Sequence, residues 1–202
     1  PKTALEGRFA FERWRARALV VAGAHRCASS EASGCPGRTK VCGGGPRAFP
    51  RSDAGHAQDS QFQAAHEALA GLFSDLVVVS LHGMAEDGIS LSDGSSGPVE
   101  ANSLLGRAAR ALAAAFPGER VTACQAGAGV PLAERLCGRT NLQGRLVNGA
   151  RPPCGPIPIT TRGRFLHIEQ SMAVRAGPAR LVEALTDALP GRQEEPRPAP
   201  AE

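Results

Sequence analysis

The chain has 202 residues, enough for one domain with a sizeable core and short for two. Its formal charge of +4 is spread over scattered Arg without a basic run, and only seven Phe, one Trp and no Tyr are available to stack on bases, which argues against a nucleic-acid partner. No apolar run reaches the roughly 18–20 residues that span a bilayer, so the sequence reads as a soluble protein without a membrane segment.

Residues 17–23 (RALVVAG) read as a buried strand that runs into His25 and a long Ser/Gly/Cys loop ending near Ser52. Residues 58–73 place Phe62, Ala65, Leu69 and Leu72 at helical spacing, an amphipathic helix. Residues 75–81 (DLVVVSL) are the clearest strand and end on His82. A polar loop follows from Met84 to Pro98, then a helix over 102–116 stopped by Pro117 and Gly118, and a short strand over 119–124. The stretch 125–158 is irregular, with one helical turn expected near 132–136; such a long irregular stretch usually serves a site. A strand over 164–170 (RFLHIEQ) and a helix over 178–189 close a single domain of residues 1–189, and a Pro/Glu tail over 190–202 is expected to be disordered. Strands alternating with helices predict an α/β fold, a three-layer α/β/α sandwich around a mostly parallel sheet.

Six cysteines without a CxxC favour disulfides over a zinc knuckle or redox pair, and so an exported location, secreted or periplasmic, with the cytoplasm as the alternative. Cys137 with Cys154 is the preferred pairing, because it would staple the irregular segment between them. The chain starts at Pro1, so any targeting peptide is invisible.

In a parallel sheet the strand ends lie side by side, and here they carry His25 with Glu31, His82, and Glu169. Two imidazoles and a carboxylate are a common ligand set for one catalytic zinc ion, with a second carboxylate as base. On this reading His25, Glu31 and His82 bind zinc and Glu169 is the general base. Asn141 and Arg145 form a polar loop suited to holding a carboxylate, and His56 precedes a helix where it can face an anionic group. His66, inside that helix, reads as structural. No G-x-S-x-G elbow exposes a serine nucleophile.

Taken together, His25 and Glu31, His82, Asn141 with Arg145, and the late Glu169 resemble the zinc carboxypeptidase-like superfamily, in particular its poly-gamma-glutamate hydrolase and N-formylglutamate amidohydrolase branches. The resemblance implies zinc-dependent hydrolysis of an amide bond in a small molecule or peptide that bears a carboxylate. The gap between His25 and Glu31 is wider than in the peptidases, which leaves Asp53 and His56 as alternatives to Glu31. Two other functions compete: a phosphoesterase using the same His and Arg cleft, and a non-catalytic, disulfide-stapled exported binding domain.

Overall fold

The computed structural model describes residues 2–190, so the tail beyond Pro190 lies outside the described residues. In chain order the elements are α1 (Lys2–Arg13), β1 (Arg38–Thr39), β2 (Arg47–Ala48), α2 (Gln61–Leu72), β3 (Val78–Gly83), β4 (Ile89–Ser92), α3 (Leu104–Ala115), β5 (Val121–Ala123), α4 (Leu142–Val147), β6 (Phe165–Gln170) and α5 (Pro178–Thr186), with a 3-10 turn at Val174–Ala176. Each helix of the middle of the chain starts on a polar cap: Ser60, Ser103 and Asn141 accept from the backbone amides of Gln63, Gly106 and Gly144. Among the described residues no helix is long and apolar enough to cross a membrane.

The fold is α/β, built on a four-stranded sheet in the order β3-β6-β4-β5 and a small antiparallel pair of β1 with β2. β3 with β6 and β4 with β5 are parallel, but β4 with β6 is antiparallel, so the sheet is mixed. The link from β3 to β4, residues 84–88, is too short for a crossover helix, so the chain returns in the opposite direction. That stretch had the look of a polar loop, yet Ile89–Ser92 is a strand buried at every residue.

Two further expectations are corrected. Residues 17–23 join no sheet, and Leu19 and Val21 stay exposed; Leu19 lies against Gly7 of α1, while Arg17 sits over the Phe73 ring and 3.9 Å from Asp75. Residues 132–136 form no helical turn, because Pro131 and Ala133 run alongside Ala123, bonded to its backbone amide and carbonyl, and Leu132 bridges to it.

Alternation gives the sheet two unlike faces. Ile89, Leu91, Val121, Ala123, Leu166 and Ile168 form a core with Leu104, Leu105, Ala108 and Leu112 of α3 and Leu181 and Leu185 of α5. Burial of each such side chain contributes roughly 1.5–3 kcal/mol. The opposite face packs Val78 and Phe165 against Val147 of α4, and is otherwise polar: Ser80, His82, Ser90, Ser92, Thr122, His167 and Glu169 share it by register.

Three disulfides hold the loops: Cys27–Cys42, Cys35–Cys154 and Cys124–Cys137. Such bonds form and persist in oxidising compartments. The expected pairing of Cys137 with Cys154 is not formed, because residues 131–133 return along the end of β5 and bring Cys137 to Cys124, with Cα atoms 5.5 Å apart. Cys154 instead ties its loop to the first one through Cys35.

On the apolar side α1 buries Glu6, Gly7 and Ala10, and Gln170 Nε2 donates to Glu6 Oε2 at 2.7 Å. Burial raises the Glu6 carboxyl to about 7, against the opposing pull of Gln170 and Arg175. The folded state therefore binds more protons than the unfolded chain between about 4.5 and about 7, so stability falls as pH rises through that window and is level above it. We predict that Glu6→Gln leaves stability near pH 4.5 unchanged and raises it at pH 8, by on the order of 2–3 kcal/mol, in urea unfolding followed at both pH values. An equal change at the two pH values would show that Glu6 is ionised throughout.

Candidate metal centre

Strands β3 and β6 lie side by side in parallel, with Ser80 opposite His167 and His82 opposite Glu169. Period-two alternation turns all four to the polar face. His82, His167 and Glu169 form a group of potential metal ligands in which one donor atom from each lies within 4.8 Å of the others. The His82 and His167 rings are 4.6 Å apart at their centroids, and His167 Nε2 is 3.8 Å from Glu169 Oε1. His82 Nε2 is 2.8 Å from Ser80 Oγ, two residues back on the same strand, which leaves Nδ1 as its ligand atom.

The electrostatics of this group are those of neutral rings beside a carboxyl group rather than of an ion pair. Burial lowers His82 to about 4, and the nearby Arg26 charge acts in the same direction. His167 is held well below the usual range by burial and by His82. Both rings are thus neutral near pH 7. Burial pushes the Glu169 carboxyl up to about 7; Arg26 and Arg175 oppose the rise and Glu86 adds to it. His167 Nδ1 is buried without a hydrogen-bond partner. Neutral imidazoles, an under-compensated carboxylate and an orphaned ring nitrogen fit a divalent cation such as zinc.

A second pair stands close enough for its charges to act on this group. Asp53 and His56 lie in the turn before α2, which is docked on α4 by Leu142 N donating to Gly55 O and by Gln143 Nε2 donating to Ala54 O. His56 stacks on Phe49 with centroids 3.8 Å apart, its Nε2 is 2.8 Å from Thr140 Oγ1, and its Nδ1 is 3.2 Å from Asp53 Oδ2. Burial opposes ionisation of Asp53, but His56 and Arg26 outweigh it and hold the carboxyl below its ordinary value.

Of the residues singled out in the sequence, His82, Glu169 and His56 lie in this region. His25 and Glu31 are not in the ligand group: His25 is exposed, its Nδ1 accepting from Cys27 N, and exposed Glu31 pairs with Arg51 at 3.2 Å. Their strand was expected to carry them to the sheet's edge, and that strand is absent. Asn141 is buried as the cap of α4, and Arg145 Nε and Nη1 donate to the carbonyls of Arg139 and Pro153. Both side chains serve the backbone. His66 turns Nδ1 to the Phe62 carbonyl one helical turn back, the structural role its position suggested. The residue missed was His167, although alternation already set it on the same face as Glu169.

His167 is held in place by Gly138. The backbone of Gly138 has φ +58°, and a Cβ there would stand 2.8 Å from His167 Cγ. Cys137, bonded to Cys124, anchors this contact, and its carbonyl accepts from Ser92 Oγ of β4. Gly138→Ala should therefore displace the ring, weakening zinc binding by about 10–100-fold while costing at least about 1 kcal/mol of stability. Zinc titration of metal-free protein reads this directly, and unchanged affinity would mean that His167 is no ligand.

No family model matches the chain, and neither a curated protein nor a solved structure matches it.

Proposed function

We propose that the protein is a zinc-dependent hydrolase that cleaves an amide bond in a small molecule or peptide carrying a carboxylate, with His82, His167 and Glu169 as the ligands of its ion. The observation that carries this reading is the buried group of two neutral imidazoles and one carboxylate at the C-terminal ends of parallel strands, where ligand sites of α/β sheets gather. An α/β/α layering would leave those ends open to substrate. A zinc ion held there supplies a Lewis acid for the amide carbonyl and lowers the pKa of water. Glu169 then serves as ligand, a change from the base that the sequence suggested.

The protein's own groups contribute binding and orientation. Ser80 fixes the His82 ring, and Gly138 fixes the His167 ring, so that their free nitrogens stay aimed at one point. Arg26 acts electrostatically on His82, His167, Glu169 and Asp53, yet among the described residues it makes no salt bridge of its own. Its backbone is fixed by Ser52 Oγ donating to its carbonyl at 2.7 Å and by the neighbouring Cys27–Cys42 bond. A partly buried arginine whose backbone is so tethered suits the substrate carboxylate. The three disulfides fit an exported enzyme.

The test is hydrolysis of N-acyl-glutamate and γ-glutamyl amides, followed by amine release, in zinc-loaded parent and variants. Glu169→Gln and His82→Ala should each weaken zinc binding by at least about tenfold and lower turnover by at least about 10²-fold, with the fold intact by circular dichroism. Arg26→Ala should raise KM for the carboxylate substrates more than it lowers kcat. If Glu169→Gln keeps both zinc and turnover, the centre has been assigned to the wrong residues.

A further inference from the structure

The geometry points to a second zinc position, held by Asp53 Oδ2 and His56 Nδ1, beside the one formed by His82, His167 and Glu169. The two atoms are 3.2 Å apart, yet both are buried and neither has a partner in hydrogen-bond geometry. In a hydrogen-bonded Asp–His pair the N–H lies along the contact, and here it does not. Two donor atoms bound to one tetrahedral zinc ion, with bonds of about 2.0–2.1 Å, stand about 3.3 Å apart. The observed spacing is that of two ligands converging on a shared ion.

The surroundings agree. Asp53 is only 3% exposed, and its Oδ2, whose near neighbour is the His56 ring at 3.2 Å, would be stabilised by a cation placed between the two. His56 presents Nε2 to Thr140 Oγ1 at 2.8 Å, an outer hydrogen bond that orients the ring and leaves Nδ1 for the ion. The Phe49 ring stacked on the imidazole holds its plane. Ser80 does for His82 what Thr140 does for His56, so the two positions are built alike. A second ion would add a Lewis acid to the region in which Asp53 and His56 already act on His82 by charge. That catalytic meaning rests on the function proposed above; the metal position itself does not.

The experiment counts zinc in the full chain. Metal-free protein is loaded with zinc alone, dialysed, and measured by elemental analysis as parent, Asp53→Asn, His56→Ala and Glu169→Gln. We expect about two equivalents in the parent and about one in each variant. Loss of one of two equivalents in Asp53→Asn and His56→Ala supports the second position whatever Glu169→Gln does, and a parent that holds only one equivalent overturns it. If those two variants hold as much zinc as the parent, the inference is overturned, and the proposed hydrolase centre stands as long as Glu169→Gln loses its ion. A parent that holds no zinc overturns both. Should Asp53→Asn fail to fold, an anomalous difference map of zinc-soaked parent crystals decides: a peak bonded to Asp53 Oδ2 and His56 Nδ1 supports the site, and no peak there refutes it.

Discussion

Strand β6 is the constraint on which the structure turns. It is buried at all six residues and lies between β3 and β4, so everything it carries must be satisfied by neighbours rather than by water. Leu166 and Ile168 face the apolar core, and that side is stable for the ordinary reason of area removed from water. His167 and Glu169 face the other way, where an unpaired buried carboxylate alone costs several kcal/mol. A fold that keeps such a pair in its central strand, with His82 beside it and serines on the flanking strand, is storing ligand capacity at the expense of stability.

The loops make that arrangement durable. Much of the polar face is covered by irregular chain and not by long helices, and irregular chain is entropically costly to order. The disulfides offset this. Cys27–Cys42 and Cys124–Cys137 close short loops beside Arg26 and Gly138, and Cys35–Cys154 joins the first loop to the last across a separation of 119 residues. Closing loops of this range removes roughly 3–5 kcal/mol of unfolded-state entropy each in the chain-entropy picture. The two short-loop bonds also lie next to Arg26 and Gly138, so in those loops stability and positioning are supplied by the same covalent links.

Much of this was legible from residue patterns, and the failures have physical causes. β3, β5, β6, α2, α3 and α5 were readable because their apolar spacing reports a buried face. α1 was not, because its buried face is Glu6, Gly7 and Ala10 while Leu5, Phe9 and Phe11 are exposed, the reverse of the usual stripe. Residues 17–23 have a strand's composition but no backbone partner, and pairing is not written in composition. In the site, Glu169 and His82 were found from strand ends. His167 was passed over in favour of His25, which depended on that missing strand. Asn141 and Arg145 have the right chemistry for a substrate, yet Asn141 caps α4 and Arg145 donates to two backbone carbonyls, contacts that only the fold reveals.

The depressed basicity of His82 and His167 sets these two imidazoles apart from an exposed one. A ligand nitrogen must be free of its proton before it binds a metal, so every proton that has to leave weakens apparent affinity. Burial removes that competition here in advance, since both rings are already neutral near pH 7. The same burial leaves Glu169 short of compensating charge, so a dication placed there would relieve the carboxylate while meeting no resistance from the rings. A solvent-exposed histidine such as His25 gains neither effect. Depth in the sheet, set by strand alternation, is therefore what separates His82 and His167 from an exposed histidine of identical chemistry.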